Sequence, residues 1–133
     1  MSAVVDASVV VAALVDTASN GAWAEGILAA GPLYAPELVG VETTNILRRL
    51  ERAKQITSAE ANAAHDDLMQ LDLELFAFES FAPRIWELRH NLTSYDAWYI
   101  ALAESLALPL ATLDEKLAKA KGVLCEFLTP GNS

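Results

Sequence analysis

The chain has 133 residues, 53% of them hydrophobic, which suits one compact domain spanning 1–133 with a substantial core and leaves no room for two. A net charge of −9 argues against a protein that coats nucleic acid, because such affinity comes from neutralising phosphates. It leaves open an enzyme that works on nucleic acid through a bound metal, with acid gathered in one place.

The opening "AVVDAS" reads as a short apolar strand ending at Asp6, of the kind buried on both faces of a parallel sheet. The N-terminal segment lacks a basic region and Asp6 interrupts it, so it is not read as a signal peptide. Helices are expected from about Ser8 to Val15 and from about Asn20 to Ala30. "PLYAPE" is a brief strand closed by Pro36. "ELVGVETTNILRRLERAK" is a helix with basic residues in its last turns, and "TSAEANAAHDDLMQLD" is another, capped by Thr57 or Ser58. "LELFAF" is a further strand. "FAPRIWELRHNL" is helical, with Pro83 tolerated in its first turn. After it come a helix in "SYDAWYIALAES", the strand "LPLATL", a short helix "DEKLAKAKG" stopped by Gly122, and a last strand near "VLCEF". No apolar run reaches the roughly 18 residues of a membrane span. The single cysteine, Cys125, forms no internal disulfide and is read as an inert strand residue in a protein of the reducing cytoplasm.

Short apolar strands alternating with helices predict an α/β fold with a mainly parallel sheet. Ligands bind such sheets beyond the carboxyl ends of the strands, and the acids there matter most. Asp6 and Asp114 each end a strand and precede a helix, where capping is the plain structural explanation. Asp96 stands in line with Ile100, Ala103 and Ala107, on the side a helix should bury. Thr93 and Asp96 also fit a capping box. Glu42 interrupts a stripe formed by Leu38, Ile46 and Leu50; its plain explanation is a place at the stripe's edge, or a pairing with Arg49. Taken together, these acids fall at one edge of the predicted sheet. Four converging carboxylates repel one another, and a divalent cation relieves that repulsion. Oxygen ligands without cysteine or histidine suit Mg²⁺, with Mn²⁺ as an alternative.

At these residues the sequence resembles the PIN-domain proteins, and among them the VapC toxins of VapBC toxin–antitoxin pairs. The matching segments are "VVDASV", "VETTNILRR", "SYDAWYIALAE" and "ATLDEKL". The resemblance implies a PIN-like three-layer α/β/α arrangement with about five strands. It also implies a Mg²⁺-dependent endoribonuclease directed at structured RNA such as tRNA, a homodimer, and a small cognate antitoxin as partner. Carried onto this chain, Asp6, Glu42, Asp96 and Asp114 match the acidic positions. Ser8 and Thr112 match positions favouring small hydroxyls, and Asn45 lies one turn beyond Glu42 as a possible support. Glu115 follows Asp114 directly, and adjacent helical residues diverge too far for both to face one site.

The chemistry so implied is metal-assisted phosphodiester hydrolysis, with Asp6 and Asp96 nearest the ion and Glu42 and Asp114 acting through water or on a second ion. The basic segment with Arg48, Arg49, Arg52 and Lys54 reads either as a solvated helix end or as an RNA-binding rim. His65 and His90 read as solvated surface residues, and Trp23, Trp86 and Trp98 as core or interface. Metal-dependent adhesion modules, D-x-D phosphatases and response-regulator receivers are set aside, since Val10 and Ser8 stand where the first two need serine and aspartate, and no receiver pattern is present. A catalytically idle PIN-like interaction module is the remaining alternative.

Overall fold

The computed structural model of the chain describes residues 1–131. Five strands form one sheet in the order β3-β2-β1-β4-β5, every neighbouring pair parallel. They are β1 (Ala3–Val5), β2 (Leu33–Pro36), β3 (Leu73–Phe76), β4 (Leu110–Ala111) and β5 (Phe127–Leu128). The central β1 is fully buried, with Val4 paired to both Tyr34 and Leu110. That placement explains its unbroken apolar sequence. The edge strand β3 alternates less cleanly and leaves Glu74 and Leu75 exposed.

The helices are α1 (Ala7–Val15), α2 (Ser19–Ala29), α3 (Leu38–Arg52), α4 (Ser58–Gln70), α5 (Ala82–Glu87) and α6 (Ser94–Leu106). The chain steps outward from β1 to β2 to β3, then returns past them to β4. Right-handed crossovers therefore put α1–α4 on one face of the sheet and α5–α6 on the other. Packing agrees: α1 touches α2, α3 and α4, while α6 lies on β1, β2 and β4. The reversal falls between β1 and β4, the position where open α/β sheets bind ligands.

Local choices follow sequence chemistry. Asp6 caps α1 through its side chain, and Thr57 caps α4 in a complete capping box with Glu60. Gly21 lets the start of α2 approach the end of α1, where a Cβ would collide with the Asp16 carbonyl. No helix among the described residues is long and apolar enough to cross a membrane.

Three expectations need correction. The helix expected over "FAPRIWELRHNL" is broken into a 3-10 turn at Glu79–Phe81, α5, and a second 3-10 turn at Leu88–His90. "DEKLAKAKG" forms only a 3-10 turn at Leu117–Lys119. Its single large apolar residue, Leu117, is buried by that one turn, and the next carbonyls find partners outside a helix. Lys121 O accepts from Asn91 Nδ2 and Gly122 O from Arg84 Nη2. Gly122 itself takes a left-handed conformation, φ 83°. Finally, β5 is Phe127–Leu128, beginning only at the last residue of "VLCEF". The Leu124 N–H is claimed by the Glu104 carboxylate at 2.7 Å, so that segment is tied down by a side chain before the sheet ladder begins.

Candidate acidic site at the sheet switch point

Asp6 ends β1 and is 7% exposed. Its Oδ1 accepts from the Ser8 hydroxyl at 2.5 Å and from the Val9 N–H at 3.2 Å; its Oδ2 accepts from the Thr112 hydroxyl. Each hydroxyl also receives a bond: Ser8 Oγ from the Leu113 N–H and Thr112 Oγ1 from the Asp114 N–H. The ends of β1 and β4 and the start of α1 are thus stitched together around one carboxylate. Burial pushes that carboxyl up to about 6, against the downward pull of its hydrogen bonds.

Asp96 sits in the first turn of α6 and is half-buried. Thr93 Oγ1 caps the helix by accepting from the Asp96 backbone N–H. Its carboxyl is raised by burial and then by the charge of Asp114. Ala107, expected in line with it, lies beyond the helix in a left-handed C-cap.

Glu42 belongs to the half-buried flank of α3 with Leu38, Ile46 and Leu50; the buried row is Val39, Thr43 and Leu47. Its partner is not Arg49. Glu42 Oε1 accepts from the Tyr99 hydroxyl at 2.5 Å. The Glu42 carboxyl is raised by burial and by the charge of Asp96, and lowered by that hydrogen bond. Asp114 is exposed, and its Oδ1 accepts from the Lys116 and Leu117 N–H groups, so its capping role is real.

Three of the acids consequently form an electrostatic chain, Asp114 acting on Asp96 and Asp96 on Glu42, and Asp6 joins them at the Tyr99 hydroxyl, which is pushed upward by burial first and then by Glu42, Asp6 and Asp96. Among the described residues the ion pairs are those of Arg84, with Glu87 and Glu104, and none reaches this cluster. The donor set is oxygen throughout and lacks a compensating cation, which fits a hard divalent ion. No three acids or histidines among the described residues close on one point.

The supporting positions divide. Ser8 and Thr112 touch Asp6 as expected. Asn45 lines a groove of about 460 Å³ between α3 and α4, with Val41, Arg48 and Met69. Glu115 lines a hollow beside β5. Arg48, Arg49 and Arg52 are exposed, as are His65 and His90. Trp86 is 67% exposed under the Arg89 guanidinium, whereas Trp98 packs edge-on against Phe78. Burial raises the Cys125 thiol to about 11, leaving it protonated. Tyr99 went unread in the sequence, although its position three residues after Asp96, on the same helical face, was the available signal.

Residues 3–123 match the PIN domain family. Ribonuclease VapC1 of Mycobacterium tuberculosis is 39% identical over 128 residues, covering 93% of this chain and 94% of that protein. The chain belongs to the PIN-domain family, in the branch of the VapC ribonucleases. Crystal structures with the same fold include VapC20 of Mycobacterium tuberculosis, a sarcin–ricin loop cleaving toxin. It has a TM-score of 0.66 at 18% identity, covering 91% of this chain and 95% of that one. VapBC-5 of the same organism, from the VapBC family of toxin–antitoxin systems, gives 0.60 at 21% identity, covering 96% and 98%.

Proposed function

We infer that this protein is a Mg²⁺- or Mn²⁺-dependent endoribonuclease and the toxin of a type II toxin–antitoxin pair, cutting structured RNA such as tRNA in the cytoplasm. The observation that carries the reading is the uncompensated set of Asp6, Glu42, Asp96 and Asp114 at the switch point of the sheet, in a chain 39% identical to a VapC ribonuclease. A bound divalent ion supplies an acidified water and positive charge against the scissile phosphate.

The protein's part is to hold and orient. Asp6 and Asp96 would be the nearest ligands, with Glu42 and Asp114 acting through water or on a second ion. Ser8 and Thr112 lock Asp6 by donating to its two oxygens, so the carboxylate needs no reorganisation when the ion arrives. Arg48, Arg49 and Arg52 line a basic rim that meets RNA phosphates outside the acidic centre. No side chain is required as nucleophile.

A small antitoxin is the regulatory partner and the toxin acts as a homodimer. The experiment is cleavage of total RNA by metal-stripped protein, with and without added Mg²⁺, mapped by the new RNA ends. Cleavage only with metal, lost in Asp6→Asn and Asp96→Asn, is expected. Undiminished cleavage in EDTA refutes the metal; absence of cleavage by metal-loaded protein leaves the idle interaction module as the better description.

A further inference from the structure

We propose that Tyr99 is a positioning residue for the acidic site, its hydroxyl fixing the Glu42 carboxylate and leaving the second carboxylate oxygen for the ligand. The inference rests on the metal-dependent reading above and names a group that reading does not use.

Tyr99 is 2% exposed and its ring belongs to the core. It stands on α6 one turn beyond Asp96, on the opposite face of the sheet from α3. Its hydroxyl nevertheless reaches Glu42 Oε1 at 2.5 Å, across 57 residues of sequence. Glutamate has three free torsions, and on the half-buried flank of α3 it would sample several positions. Aspartates 6 and 114 are short and are held by two or more hydrogen bonds each. Glu42 is the long acid of the set, and among the described residues the Tyr99 hydroxyl is the one group that bonds its carboxylate. The direction is fixed by chemistry: an ionised carboxylate only accepts, so the phenol hydroxyl donates to Glu42. A ligand tethered in this way binds without first losing its rotamer freedom, which is the usual contribution of a group that orients a metal ligand.

The test is Mn²⁺ binding to metal-free protein, read by calorimetry and by the spectrum of the bound ion, with RNA cleavage as a separate readout. Tyr99→Phe keeps the ring and removes only the hydroxyl; its folding is checked by circular dichroism and melting in chelator. Mn²⁺ affinity is expected to fall about 10-fold. In a Glu42→Ala background the same substitution should change affinity less than about twofold, since Tyr99 acts through Glu42. Glu42→Asp keeps the charge, withdraws the carboxylate from the hydroxyl by one methylene, and should lose a similar factor with Tyr99 intact. Wild-type affinity in Tyr99→Phe, or in Glu42→Asp, overturns the positioning role while leaving the metal-dependent nuclease standing. An undiminished Tyr99→Phe effect in the Glu42→Ala background overturns it also. Failure of the wild-type protein to bind Mn²⁺ removes the underlying reading and this inference with it.

Discussion

Replacing Asp6 with asparagine isolates the energetic penalty of the central carboxylate. The asparagine Oδ1 can still accept the Val9 N–H, so the α1 cap survives, but no charge remains to be buried. In the folded protein the Asp6 carboxyl is raised from the ordinary 3.8 to about 6, chiefly by burial. A raised carboxyl binds its proton more tightly in the native state than in the unfolded chain. Its contribution to stability is therefore fully present below about pH 4 and is lost as pH climbs through 6. At 1.36 kcal/mol per unit the whole effect is about 3 kcal/mol, of which about 1.4 kcal/mol falls between pH 5 and pH 7.5. The assay is urea unfolding of wild type and Asp6→Asn in EDTA across that interval. Glu42 and Asp96 are raised as well, but they are common to both proteins and largely cancel in the difference. The variant should gain on wild type by about 1.4 kcal/mol from pH 5 to pH 7.5, about 1 kcal/mol of it by pH 6, with the curve flattening above that. Parallel stability curves would show that Asp6 ionises normally and refute the argument from burial.

Other outcomes follow from the same geometry. Asp96→Asn should abolish RNA cleavage without loss of melting temperature in chelator, because Thr93 caps α6 through the backbone N–H of residue 96; a fall of many degrees would make Asp96 chiefly structural. Arg84→Ala should destabilise the protein by about 2 kcal/mol, since Arg84 binds Glu104 through Nε at 2.7 Å and Nη2 at 3.1 Å and also holds Gly122 O at 2.8 Å. Amide exchange at Leu124 should accelerate in that variant, and unchanged exchange would show that the clamp does not hold this segment. An antitoxin arginine seated in the acid cluster should inhibit by pairing with a carboxylate and excluding metal. If replacing that arginine with alanine leaves the complex tight and inactive while Mn²⁺ still binds, inhibition works by covering the RNA surface.

The sequence was most legible where chemistry and periodicity agreed. An apolar strand ending in aspartate, twice, placed Asp6 and Asp114 on one sheet edge, and the helix start at Thr93 placed Asp96 near them. Glu42 was located by helical spacing, but its partner was not, because a bond to Tyr99 depends on how α3 and α6 meet across the sheet edge. The tail of the chain was read poorly for a related reason. Residues 114–126 carry little periodic signal of their own, and their conformation is set by Arg84, Asn91 and Glu104, side chains donated from elsewhere. Local propensity favoured a helix there; long-range hydrogen bonds won.

The stitching of Asp6 to Thr112 joins residues 106 positions apart, and Ser8 meets Leu113 across 105. At about 5–20 residues per second, translation separates the two halves of that knot by roughly 5–20 s. Until β4 is made, β1 lacks one of its two neighbours and Asp6 lacks one of its two hydroxyl donors, so the growing chain carries aspartates but no organised centre. A centre assembled this way is completed only near the end of its own synthesis. A partner that binds at that moment meets the enzyme as it first becomes able to act.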